Sequence, residues 1–170
     1  MREAELSMER RLGSQAESVL AVQGNLANTY QALGRSEEAL RLRQEVYSGR
    51  LKLSGEEHEQ TLSAAYNLAT TLDALKRYGE AKTVLRKMMP VVRRVLGENN
   101  ELTIRMRWNY ATALYEDPTA TLDDLRESVT TLEETARIAR RVLGGTHPLT
   151  SAIEGDLRKS RAALREAPRS

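Results

Sequence analysis

The chain of 170 residues has no cysteine, no phenylalanine, one tryptophan, two histidines and four prolines. Without cysteine there are no disulfides, no thiol chemistry and no Cys-ligated zinc, and two histidines leave little for any other metal site. Aromatics make up only 4% of the residues, so a core has to be built from Leu, Val and Ala. A surplus of charge is missing too: 26 Lys+Arg minus 24 Asp+Glu gives +2. That balance does not mark a nucleic-acid or membrane-surface binder by composition. No apolar run approaches the ~18 residues that would span a bilayer. The opening Met1-Arg2-Glu3-Ala4-Glu5 lacks the apolar stretch of a secretory signal, and a cytoplasmic setting is expected. What remains is 40% hydrophobic and 29% charged, the balance of a folded, helix-rich chain. The length fits one domain or one stretch of a repeat array.

A repeat is present. Gly13, Gly55 and Gly97 lie 42 residues apart, and Gly144 follows after 47. Asn25, Asn67 and Asn109 keep the same spacing of 42, with Asp156 again 47 later. Asn25-Leu26-Ala27 returns as Asn67-Leu68-Ala69 and Asn109-Tyr110-Ala111, and Arg93-Arg94-Val95-Leu96-Gly97 returns as Arg140-Arg141-Val142-Leu143-Gly144. A fixed period of this size is the signature of a solenoid or related array.

Each period holds two helical patterns. Thr61, Leu62, Ala65, Leu68, Ala69, Leu72 and Leu75 recur every three and four residues, one face of a helix A. Lys76-Arg77-Tyr78-Gly79 breaks the pattern. Helix B then runs through Ala81, Val84, Leu85, Met88, Val91, Val92 and Val95 to Gly97, a residue suited to the position just past a helix end. In the first period Ala21, Leu26, Ala27, Tyr30 and Leu33 mark helix A, Gly34 ends it, and Ser36 is expected to cap helix B. Pro148 opens the last helix A after His147. Small residues recur at Ala27, Ala69 and Ala111 and at Ala39, Ala81 and Ser128, where helices must approach closely. Pro90 is expected to kink its helix. The five extra residues of the third period (47 − 42) fall around Glu116-Asp117-Pro118-Thr119-Ala120. Thr121-Leu122-Asp123-Asp124 then reads as a capping box for a helix B predicted over 122–143.

The expected organisation is a partial helix B over 1–12, repeats over 13–54, 55–96 and 97–143, a lone final helix A over 144–166, and a tail over 167–170. Neither helix of a pair hides its apolar face alone, so stacking is required. The fold class is all-α.

Asn-Leu-small in helix A, the Arg-Tyr-Gly-Glu-Ala turn and the period of 42 resemble tetratricopeptide repeats of the kinesin-light-chain type. The linker motif of that type stands almost complete at Leu143-Gly144-Gly145-Thr146-His147-Pro148-Leu149-Thr150. It is degraded at Ser54–Thr61 and weaker at Leu96–Thr103. The resemblance implies a right-handed α-α superhelix, a solenoid of about eight antiparallel helices. Its helices A would line a concave groove holding a peptide or helix of a partner protein. The matching positions are Asn25 and Asn28 in the first repeat, Tyr66, Asn67 and Thr70 in the second, Arg105, Trp108, Asn109 and Thr112 in the third, and Lys159 with Asp156 in the last helix. Carboxamides offer both donors and an acceptor to a peptide backbone, and Trp108, Tyr66 and Tyr115 are the candidate anchors. The cation set with which chaperone-binding members grip a C-terminal carboxylate falls here on Gly24, Asn28, Asn67, Arg105 and Asn109, so two of its three basic groups are absent. For acidic peptides, Arg105 and Lys159 are the only evident cations.

Each of these residues also has a plainer reading. The Asn ladder is either a ligand-binding row or a spacer between repeats, and Trp108 either a groove anchor or helix packing. His58 and His147 occupy equivalent loop positions and read as helix-start residues. Arg93, Arg94, Arg137, Arg140 and Arg141 read as a solvated outer face, with an acidic partner or RNA as the alternative. No Gly-rich phosphate loop, Ser/His/Asp set or paired His ligand appears. No catalytic residue, metal or cofactor is expected. The chain reads as a non-enzymatic protein-interaction scaffold. The alternative is a regulatory or self-assembling segment of a larger repeat protein.

Overall fold

The computed structural model describes residues 2–167, with the backbone alone for residues 2–7, 9 and 10. The described residues form seven helices and no strand: α1 (Arg2–Ala32), α2 (Ser36–Ser54), α3 (Glu59–Ala74), α4 (Tyr78–Leu96), α5 (Glu101–Glu116), α6 (Leu122–Leu143) and α7 (Pro148–Glu166). They divide into two compact units, one reaching to Leu75 and the other starting at Lys76. In the first, α2 packs on both α1 and α3. In the second, consecutive helices pack in turn from α4 to α7, and α5 also meets α7. The predicted tail over 167–170 lies, after residue 167, outside the described residues.

One loop device is used three times. Gly55, Gly97 and Gly144 have φ of +79°, +82° and +95°, a left-handed region that costs glycine nothing. The N–H of each donates to the carbonyl four residues back, on Leu51, Arg93 and Arg140, at 3.0–3.1 Å. Three residues later a side chain caps the next helix. The Nδ1 of His58 and His147 accepts from the backbone N–H of Gln60 and Leu149 at 3.3 and 3.2 Å, and Asn100 Oδ1 accepts from that of Leu102 at 2.8 Å. His58 and His147 therefore start helices, as expected.

Gly13 lacks this context. Its partner three residues on is Ala16, which has no acceptor, and the helix runs through. The expected partial helix B and first helix A are thus one helix, which makes seven rather than about eight. A second correction concerns Ser36. The capping position is Arg35, whose side chain makes no capping bond but pairs with Glu38 at 2.8 Å. Arg77 repeats this before α4, pairing with Glu80 at 2.6 Å. The Gly34–Arg35 turn closes through Arg35 N–H to the Tyr30 carbonyl at 2.8 Å, so Ser36 already lies in the first turn.

The helix period sets the core. Leu62, Ala65, Ala69, Leu85, Met88, Val92, Ile104, Leu114, Leu132 and Ile153 are fully buried. The recurring small residues Ala27, Ala69, Ala111, Ala39, Ala81 and Ser128 are fully buried as well. Ser128 also uses its hydroxyl, donating to the Ala111 carbonyl at 2.7 Å and accepting from Ser160 at 2.8 Å. Buried Arg107 is held by Glu98 at 2.8 Å and Glu134 at 2.5 Å. α4 continues as a helix past Pro90, whose side chain is exposed.

The repeat also defines a forward face of helix A. In α5 it is marked by Ile104, Ala111 and Leu114, and the first two share one apolar cluster with Leu149 and Ile153 of α7. The equivalent positions of α3 are Leu62, Ala69 and Leu72, and all six residues are buried. In α7 those positions hold Ser151, Arg158 and Arg161, and all are exposed or half-exposed. Helix α7 thus carries a polar surface where α3 and α5 carry apolar ones.

The five-residue insertion is itself ordered. Asp117 accepts from Lys82 Nζ at 2.8 Å, from the Thr119 N–H at 2.9 Å and from its hydroxyl at 2.6 Å. Thr121 and Asp124 form the expected capping box, and α6 has its predicted bounds. The bonds from Lys82 and Thr119 hold the Asp117 carboxyl down at about 2, against an ordinary 3.8.

Two outcomes are expected. Gly13→Ala, inside a helix with open space around an added Cβ, should stabilise the chain by about 0.5–1 kcal/mol. Gly97→Ala, forced to keep a positive φ, should destabilise it by about 1 kcal/mol. Urea-unfolding midpoints moving in opposite directions confirm the continuous α1, whereas a loss at both sites refutes it. Second, the depressed Asp117 carboxyl contributes stability above its ordinary range, and that contribution is lost as pH falls from about 4 through about 2. Asp117→Asn should therefore be less stable than the native chain at neutral pH, and the gap should narrow across that window in denaturation measured against pH.

Candidate functional site

The helix-A residues singled out from the sequence divide between the two units. In the first unit, Asn25 and Asn67 are exposed and Tyr66 and Thr70 are half-buried. Thr70 turns its hydroxyl back to the Asn67 carbonyl at 2.9 Å. Asn28 does not stand free: its Oδ1 accepts from Arg43 at 3.0 Å. Arg43 is a buried cation on α2, and burial lowers its pKa. The carboxamide therefore serves the α1–α2 contact, and Arg43 is a residue that sequence spacing did not connect with it.

The second unit holds the more organised face. Arg105, Trp108, Asn109, Thr112 and Tyr115 follow one another by one or three residues along α5, in steps that keep them on one side of the helix. Asp156 and Lys159, one turn apart, face them from α7. Asp156 is the hub. This buried carboxylate, 8% exposed, accepts from the Trp108 indole N–H at 2.7 Å, the Tyr115 hydroxyl at 3.0 Å and Lys159 Nζ at 2.7 Å. Three donors, one of them cationic, offset the desolvation of the charge. Burial, then the Asp156 charge and hydrogen bond, push the Tyr115 hydroxyl far up from its usual range, so it stays a donor. The bond to Asp156 likewise raises the Lys159 ammonium.

The polar ends of Trp108 and Tyr115 are thus taken up within the chain, and their half-buried rings pack against the apolar cluster of α5, α6 and α7. Thr112 bonds back to the Trp108 carbonyl at 3.0 Å. Asn109 is half-buried, and its Oδ1 is enclosed with no hydrogen-bond partner. Arg105 pairs with Glu101 at 2.6 Å. Both cations of this face are therefore compensated inside the chain, a poor fit to a strongly acidic peptide. The sequence signal for the hub was the fourth rung of the ladder, where Asp156 replaces Asn.

The arginines gather elsewhere. Arg137 and Arg140 of α6 meet Arg158 and Arg161 of α7 around a cleft of about 350 Å3 floored by Ala136 and Leu157. Arg140 pairs with Glu154, and Arg161 with Glu133 at 2.6 Å. Among the described residues no group of three or more His, Asp or Glu side chains could hold a metal ion. No helix among them is long and apolar enough to cross a membrane.

Comparison with known proteins agrees with this architecture. The tetratricopeptide repeat family model matches residues 18–91. No curated protein matches the chain. Among solved structures, it is similar to the putative kinesin light chain nearly identical TPR-like repeats of Podosopora anserina and to a variant of those repeats. In both cases the identity is 24%, the TM-score 0.77, and the match covers 88% of this chain and 68% of that one. BtubC (BKLC) from P. vanneervenii is similar at 15% identity and a TM-score of 0.58, over 99% of this chain and 76% of that one. Residues 18–91 therefore match the tetratricopeptide repeat family, and the chain has the fold of the TPR-like repeat arrays it resembles.

Proposed function

We propose that this chain is a non-enzymatic scaffold that binds an extended peptide or helix of a partner protein, and that the α5–α7 face of the second unit is its binding surface. The observation that carries this reading is the Asp156 hub. It holds the Trp108 and Tyr115 side chains at bonded distances of 2.7 and 3.0 Å before any ligand arrives. Rings fixed in advance lose little entropy on binding, and Trp and Tyr are among the side chains that dominate interface energetics. Beside them, Thr112 supplies a hydroxyl of the kind that pairs with a peptide backbone. Tyr66 and Asn67 offer a hydroxyl and a carboxamide on the helix A of the first unit. A cytoplasmic setting belongs to the same proposal. The compensated cations favour a neutral or mixed-charge segment over an acidic one.

A display library of short random peptides tests the reading. The native chain should enrich peptides that bind Trp108→Ala at least tenfold more weakly, a change of about 1.4 kcal/mol, with helical circular dichroism unchanged. Tyr115→Ala should weaken the same peptides, and Arg93→Ala on α4 should leave them alone. Peptides that bind every variant equally well would move the binding surface off the helix-A face.

A further inference from the structure

The helix α1 carries an apolar stripe that the described residues leave uncovered. Met8, Leu12, Val19, Val22 and Leu26, with Leu33 just beyond the helix end, are each between 41% and 66% exposed. Counting from Met8 in alternating steps of four and three gives 8, 12, 15, 19, 22, 26, 29 and 33. Only Gln15 and Thr29 on that line are polar. An alternation of this kind has the 3.5-residue period of a helix seam that meets another helix along its length. The stripe is about 38 Å long at 1.5 Å per residue. Its six side chains expose apolar surface on the order of 600 Å2, at the upper end of what monomers leave in water.

The repeat identifies the stripe. Val19, Val22 and Leu26 stand where α3 has Thr61, Ala64 and Leu68, where α5 has Thr103, Met106 and Tyr110, and where α7 has Thr150, Ile153 and Leu157. Every one of those equivalents is buried except Leu157, which is half-buried. The same three positions are open in α1 alone, and the first two hold larger apolar residues there than in α3. This is the rear flank of a repeat, about a quarter turn round the helix from the forward one. A groove of about 460 Å3 lined by Ala16, Val19, Leu20, Gly49, Lys52 and Leu53 runs beside its middle, with room for a partner's side chains.

We propose that this rear face is a two-fold interface, covered by the same face of a second copy of the chain. Self-association in the other sense, rear face on forward face, would set Val19, Val22 and Leu26 against Ser151, Arg158 and Arg161. It would bury the Arg158 guanidinium and the Arg161–Glu133 ion pair against an apolar stripe that offers them no partner, at a desolvation cost that apolar contact does not offset. Rear on rear sets Leu and Val against Leu and Val. The surface is also the right size, because the apolar stripe supplies most of the roughly 800 Å2 per partner that a stable interface needs. The polar positions Gln15 and Thr29 lie within the seam, where an interruption of this kind fixes register and number of strands.

The test uses the full chain and does not depend on peptide binding. At about 100 µM, where even a micromolar dimer is nearly all assembled, sedimentation equilibrium should give twice 19.1 kDa. The double variant Val22→Glu, Leu26→Glu should fall to a single chain, with the dissociation constant raised about a hundredfold or more. Both positions are exposed in the single chain, so helical circular dichroism should be unchanged. Val22→Cys, at the centre of the stripe, should give a covalent dimer on mild oxidation, and the native chain has no other thiol to confuse the result. A native chain that stays at 19.1 kDa, whether its stripe is then bare or meant for another hairpin or a different protein, overturns the proposal. So does a dimer that survives the double variant, or one that Arg158→Glu with Arg161→Glu dissolves while the α1 variant does not.

Discussion

A helix hairpin that is apolar on both flanks cannot stand by itself in water; each flank has to be covered by another hairpin. That constraint shapes this chain throughout. It explains why Ala27, Ala69 and Ala111 are small and buried, since a larger side chain would hold packed helices apart. It explains why the same forward positions are Leu, Ala and Leu in α3 and Ile, Ala and Leu in α5. It also explains why the change to Ser151, Arg158 and Arg161 in α7 is informative.

The loops were the most legible part of the sequence, because they combine two local requirements at a fixed separation. A glycine must supply a left-handed φ, and three residues on a side chain must accept a backbone N–H. Gly55, Gly97 and Gly144 meet both, and helices end and start there. Gly13 meets only the first. Ala16 has nothing to accept with, and a lone glycine costs a helix only about 1 kcal/mol, so α1 continues. Ser36 misled in the opposite way. A good capping residue was present, but the Gly34–Arg35 turn had already begun the helix one residue earlier. The extent of α6 was readable to the residue because Thr121 and Asp124 satisfy each other's requirements within four positions, with no help from the rest of the fold.

The candidate site was less legible. Periodicity put Trp108, Tyr115, Asp156 and Lys159 on helix-A faces. It did not reveal that one carboxylate gathers the other three, because that depends on a distance between α5 and α7 and not on any local pattern. The same holds for Asn28, whose amide is engaged by a buried arginine 15 residues away in the chain, and for Arg105 and Lys159, whose charges are neutralised close by. Sequence shows which groups share a face. Only coordinates show which of them are already occupied.

The bond from the Trp108 indole to Asp156 has a practical side. It is the chain's single tryptophan, and its N–H is held by a carboxylate on a different helix at 2.7 Å. Its fluorescence emission is therefore a built-in optical gauge of the α5–α7 contact. A sliding of one helix along the other, or a ligand laid across the ring, alters the electric field at the indole and so its colour, with no label attached.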